Sequence, residues 1–154
     1  MMRAILSEES LDPASLLAGF TARLPGTVGA VMSFLGLARA NGSAGEVLDA
    51  LVLEAHPTAT LRSLDAIAAD AVARFNLLAV EVVHRHGRIA PAEPIVWVAA
   101  AAAHRRAAFE ACDQIMDRLK TEAVLWKREE GEQGRRWIEP TTADHEAAAR
   151  WSTK

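Results

Sequence analysis

The ten residues PIVWVAAAAA, from position 94 to 103, are the longest apolar run in the chain and constrain its fold more than any other segment. A helix needs ~20 apolar residues to cross a bilayer, so this run is half the required length and reads instead as a strand. Immediately after it the pattern changes. In AHRRAAFEACDQIMDRLKTEA, residues Phe109, Cys112, Ile115, Met116 and Leu119 recur at helical spacing, which predicts an amphipathic helix with those five on its apolar face.

The same criteria divide the rest of the chain. RAILSEE predicts a short strand, and LDPASLLAGFTARL a helix with Asp12 as N-cap, Pro13 at its first position and Leu16, Leu17 and Phe20 on one face. GTVGAVMSFLGLAR is rich in strand formers, and RANGSAGEV, residues 39–47, is a loop able to order on binding. ALVLEAH predicts a strand. Pro57 then opens a helix with Leu61, Leu64, Ile67, Ala68, Ala71, Val72 and Phe75 as its buried stripe. LLAVEVVHRHG and EPIVWVAAAA come next as strands joined by the turn GRIAPAEP, LWKREEGEQGRRWIE predicts a hairpin, and ADHEAAARW a terminal helix. The mixture of hairpins and crossovers implies an α+β fold with a mostly antiparallel sheet. No linker divides the chain, so residues 1–154 are expected to form a single domain.

Apolar residues make up 51% and charged residues 24%, the composition of a globular protein. The net charge of −3 argues against a nucleic-acid surface, so any cationic site must be local. The N-terminal MMRAILSEES lacks a signal-peptide core, which makes the cytoplasm the expected compartment. The single Cys112 reads as a buried thiol.

Several residues invite a chemical reading. His104, Arg105 and Arg106 fall at the start of a helix, where the macrodipole disfavours cations unless an anion binds; an exposed Arg106–Glu110 pair is the plain alternative. Lys120 and Lys127 are seven apart, ~10 Å on one helical stripe if the segment were helical throughout. They read either as solvated ends of elements or as pocket cations, the second because Lys127 adjoins Trp126 and Arg128. His84 and His86 alternate on a strand as metal ligands can, but no Cys/His cluster accompanies them. The four tryptophans, Trp97, Trp126, Trp137 and Trp151, fit a core or an interface. Gly-x-Ser-x-Gly, phosphate-loop and dinucleotide fingerprints are absent.

Taken together and in order, FLGLAR (34–39), LEAHP (53–57), AHR (103–105), IMDRLKTEAVLWKRE (115–129) and RRWIE (135–139), with the terminal ARW, resemble the large, catalytic subunit of molybdopterin synthase, the MoaE family. The resemblance implies an α/β-hammerhead-like fold with an additional, mostly antiparallel sheet. It implies a sulfurtransferase of molybdenum-cofactor biosynthesis acting on cyclic pyranopterin monophosphate, with no metal and no cofactor. The sulfur donor would be the C-terminal Gly-Gly thiocarboxylate of a small ubiquitin-like subunit. Two large subunits would form a homodimer within a heterotetramer.

By the same resemblance, Lys120 and Lys127 are the catalytic lysines. Leu37, Ala38, Arg39, His104, Arg105, Arg128 and Glu129 join them in binding substrate, and Phe34 and Met116 line the pocket. The chain departs from the family pattern at Ala38, at His56 and at Val124, which stands where Pro is frequent and implies a less sharply ended helix. Two other functions fit the residues: a non-catalytic dimer that docks a ubiquitin-like partner or an acidic ligand, and a metalloenzyme built on the His84/His86 pair.

Overall fold

The computed structural model describes residues 1–42 and 44–152; Ser43, inside the expected 39–47 loop, lies outside the described residues, as do Thr153 and Lys154. The elements run β1 (Met2–Ser7), α1 (Pro13–Ala22), β2 (Ala30–Leu37), β3 (Leu48–Ala55), α2 (Pro57–Phe75), β4 (Ala79–Arg85), β5 (Gly87–Ile89), β6 (Pro94–Ala102), α3 (Arg105–Thr121), β7 (Leu125–Gly131), β8 (Gly134–Ile138) and α4 (Thr142–Ala149).

Two four-stranded sheets result, ordered β1-β4-β6-β2 and β5-β3-β7-β8. Every pairing is antiparallel except β1 with β4, so the α+β expectation holds. The turn expected across GRIAPAEP is partly wrong. Gly87 takes φ +85°, a conformation glycine adopts without strain, and the chain swings out of the first sheet to form β5, which pairs with β3 in the second. Three residues are too few for a periodicity signal, which is why the strand escaped sequence reading.

The apolar run becomes β6 at the centre of the first sheet, buried from Val96 to Ala102. One face of this sheet packs on α2 and α3 through Leu64, Ile67, Val82, Val98, Cys112, Ile115 and Leu119. The other packs on α1, where Phe20 meets Trp97 edge-on at 6.0 Å. Ala38, Leu53 and Ile89 form a third small core joined by Ile95 of β6, tying the second sheet to the first.

Three helix details differ from expectation. Asp12 caps α1 as foreseen, but Leu17 is exposed beside the buried Phe20. On α3 the buried stripe is Ala108, Ala111, Cys112, Ile115 and Leu119, which rotates Phe109 to 55% exposure. Finally, α3 stops sharply despite Val124. The Val124 N–H donates to Ser63 Oγ at 3.1 Å and its carbonyl accepts from Thr60 Oγ1 at 2.5 Å, so hydroxyls of α2 fix the turn that proline would otherwise impose.

Candidate active site

Because α3 ends at Thr121 and β7 starts at Leu125, Lys120 and Lys127 are on different elements and not on one helical stripe. Lys127 pairs with Leu53 across the β3–β7 ladder and with Ile138 across β7–β8. Opposed residues share a sheet face, so Lys127 projects to the inner side of the second sheet. Burial there holds its ammonium below the usual lysine pKa, repulsion from Lys120 adds to the effect, and Asp144 opposes it. Lys120 Nζ donates to Asp144 Oδ1 at 2.9 Å. The Asp144 carboxyl is held far below the ordinary range, first by the Thr141 N–H and then by Lys120 and the Thr141 hydroxyl.

Arg128, next along β7, faces the opposite way. Its guanidinium reaches Glu54 at 2.6 Å and Glu130 at 3.1 Å and lies 5.0 Å from the Trp137 ring centre. Glu129 returns to the inner face, paired with Arg136 at 2.7 Å. Of the expected site residues Lys127, Arg128 and Glu129, therefore, the structure brings Lys127 to Lys120, while Arg128 is engaged by neighbouring carboxylates on the outer face. Trp126 and Trp137, expected in a core or interface, are each about half exposed in this chain.

At the opposite end of α3, His104 is the N-cap residue with β-region dihedrals and makes no side-chain capping bond. With Gly29, Ala103, Arg105, Arg106, Phe109 and Glu110 it lines an open concavity of ≈ 580 Å³. Free first-turn N–H groups, the helix dipole and flanking cations make this a suitable seat for an anion. Arg106 is drawn aside by Glu110 at 3.7 Å, the plain pairing foreseen. His104 and Arg105 have no ion-pair partner among the described residues, and the same is true of Arg39. Gly29 was not singled out from sequence. A Cβ there would meet the Ala103 carbonyl oxygen at 2.3 Å, so glycine is what lets the two backbones close the floor of the concavity.

The FLGLAR segment is split among environments. Leu37 and Arg39 are exposed, whereas the Ala38 side chain is buried and its backbone is bonded to Glu93 and Ala92. Phe34 pairs with Val98 on the sheet face that α3 covers, the side on which Met116 also packs.

The histidine pair does not form a ligand set. His84 is buried with Nδ1 2.8 Å from the Arg85 carbonyl oxygen, and His86 lies beyond the end of β4, 3.8 Å from Glu8. Burial pushes His84 down to about 4, with Lys127 and His86 adding to the shift. No group of three or more His, Cys, Asp or Glu side chains is placed to hold a metal among the described residues. Burial also pushes the Cys112 thiol up to about 12, which leaves it unreactive.

The residue of this site most clearly missed from sequence is Asp144, the partner of Lys120. Its signal was present in TTAD, a Thr-x-x-acid capping pattern at the start of the last helix, but capping alone says nothing about a lysine on another helix.

The comparisons with known proteins agree with this architecture. The MoaE protein family model matches residues 6–122. The chain is 50% identical over 150 residues to the molybdopterin synthase catalytic subunit of Caulobacter vibrioides, covering 97% of each. The solved molybdopterin biosynthesis MoaE protein from Burkholderia ambifaria MC40-6 aligns with a TM-score of 0.82 at 37% identity over 100% of both chains. At 16% identity and a TM-score of 0.71, the fold recurs in the complex of subunits 1 and 2 of molybdopterin-converting factor from Helicobacter pylori 26695, covering 88% of this chain and 89% of that one. With the family model spanning most of the chain and close relatives matched along almost their full length, this chain belongs to the MoaE family.

Proposed function

We propose that this chain is the catalytic subunit of a cytoplasmic molybdopterin synthase, which transfers sulfur to cyclic pyranopterin monophosphate from the C-terminal thiocarboxylate of a small ubiquitin-like partner. The observation that carries the reading is the partly buried Lys127, its charge acting on that of Lys120, in a chain of this family. A thiocarboxylate sulfur is already a nucleophile, so the protein needs no thiol of its own and Cys112 can stay inert. Its work is to bring two anions together, which requires cations in a partly dry site. Lys127, whose ammonium is destabilised by burial, is fitted to give up and regain a proton as sulfur adds and the cyclic phosphate opens. Lys120 supplies positive charge to the acyl tail.

Arg39, His104 and Arg105 would hold the phosphate. His104 precedes α3 and Lys120 lies in its last turn, ~24 Å apart at 1.5 Å per residue. That distance is too great for one small substrate to bridge within a single molecule. In a homodimer whose two α3 helices run antiparallel across the axis, the helix start of one copy would face the lysines of the other. The exposed Phe109 and Asp113 on α3 would lie at such a contact.

The test is reconstitution with the cyclic precursor and a thiocarboxylated small subunit, followed by detection of the dithiolene product. Product formation that is lost in Lys120→Ala, with small-subunit binding retained, is the expected result. Failure of the wild-type chain to form product where a control enzyme succeeds would defeat the proposal. Tight small-subunit binding without turnover would leave a docking module in its place.

A further inference from the structure

None of the eight residues of α4 is buried, yet the helix is fixed at both ends. At its C-terminal end, Trp151 Nε1 donates to Asp117 Oδ2 at 2.8 Å, and Arg150 reaches both Asp113 and Asp117 at 2.7 Å. Trp151 also meets Phe75 edge-on at 6.0 Å. At its N-terminal end Asp144 closes a capping box, with Oδ2 accepting from Thr141 N at 2.9 Å and from Thr141 Oγ1 at 2.7 Å. The second oxygen accepts from Lys120 Nζ at 2.9 Å. Asp113, Asp117 and Lys120 all belong to α3, so α4 is bolted to that helix twice, and the second bolt is one of the two lysines.

We propose that Asp144 is the positioning residue of the lysine pair: its carboxylate, fixed by the cap and by the α4 anchor, holds the Lys120 ammonium in place beside Lys127 and offsets the repulsion between them. The role of the pair in catalysis rests on the sulfur-transfer reading above. Capping does not account for the geometry, because a capping box needs one carboxylate oxygen turned toward the N-cap and places no requirement on the other. Here the other is aimed at a cation on a different helix.

Glu129, on the same face of β7, is paired with Arg136, and Asp144 is the carboxylate whose charge acts on Lys127. Lys120 acts on it from α3 and Asp144 from α4, while the buried His84 of β4 feels its charge; β3 and β8 present only Leu53 and Ile138 opposite it. Burial and Lys120 both disfavour the Lys127 ammonium, and Asp144 favours it. Without that carboxylate, Lys120 loses its fixed partner and Lys127 faces repulsion alone.

The test uses the whole chain as wild type, Asp144→Asn, Asp144→Glu and Thr141→Ala, with lysines labelled at Cε and followed by carbon NMR across pH. Asparagine keeps an oxygen for the cap but loses the charge, whereas Thr141→Ala breaks the cap and keeps the carboxylate. The Lys127 midpoint is expected to move to lower pH in Asp144→Asn and to stay near its wild-type position in the other two variants. Turnover in the reconstituted system should fall about ten- to a hundredfold in Asp144→Asn, the usual scale for a misplaced group, with the KM for the small subunit unchanged. An unmoved midpoint in Asp144→Asn, or an equal shift in Thr141→Ala, would reduce Asp144 to a cap and overturn the proposal. If the midpoint shifts as expected while wild type forms no dithiolene, the hold of Asp144 on the lysine pair stands and only the sulfur-transfer reading is lost.

Discussion

Lys127 stands directly opposite Leu53 in the antiparallel β3–β7 ladder. Leu53 is 1% exposed, within the small core that joins the two sheets, so the pairing carries a lysine toward the driest part of the second sheet. One residue further on, the pleat turns Arg128 outward to Glu54, Glu130 and Trp137.

Holding an ammonium on that face costs stability, so Lys127→Met should raise the thermal midpoint by a few degrees, the scale of ~1 kcal/mol in a domain of this size. The same substitution should abolish dithiolene formation. Calorimetry and the reconstituted assay read the two effects separately, and a lower midpoint would mean that the lysine stabilises the fold.

His84 gives stability a pH dependence with a definite sign. Its folded value of about 4 lies below the ordinary 6.5, so between those values the unfolded chain takes up a proton that the folded one refuses. The contribution is complete above pH 6.5 and lost as the pH falls toward 4, on the order of 3 kcal/mol at 1.36 kcal/mol per unit. Denaturant titrations at several pH values should show this slope, and His84→Asn should flatten it.

At Gly29 there is no room for a side chain, because the Ala103 carbonyl oxygen occupies the place of the Cβ. Gly29→Val should cost about 1–3 kcal/mol through forced backbone shifts and should weaken phosphate binding at the start of α3. Chemical denaturation and calorimetric titration with inorganic phosphate check the two parts.

If the phosphate-binding and lysine ends of α3 act across a dimer, inactive variants should complement one another. An equal, fully exchanged mixture of Arg105→Ala and Lys120→Ala chains would be half heterodimers, each with one intact site, giving about a quarter of wild-type activity. Activity no greater than that of the separate variants would show that both groups are required from the same chain.

Much of this was legible in the residues. Asp12 and Pro13 fixed the start of α1, the 3.6-residue stripe of α2 packed nearly as written, and the change from helix to hairpin between Lys120 and Lys127 was visible in composition. What escaped depended on tertiary distance. Phe109 fits the period of the α3 stripe, but the buried face of the helix runs through Ala108 and Ala111 and leaves it outside. Val124 lacks the ring that would end a helix, but Ser63 and Thr60, some sixty residues earlier, hold the turn. Asp144 shows in sequence only as a cap, since its lysine lies on another helix.

The β3–β7 register also carries information of another kind. Side chains along a strand alternate with a period of two, so sliding β7 by one residue against β3 would exchange Lys127 for Arg128 on the inner face. Inside would then stand a guanidinium that does not release its proton near neutral pH, and the amine whose charged form burial disfavours would be left in water. The ladder thus works as a reading frame for acidity: a single-residue deletion at the start of β7 would leave both cations in the chain and still change which of them faces the inner side of the sheet.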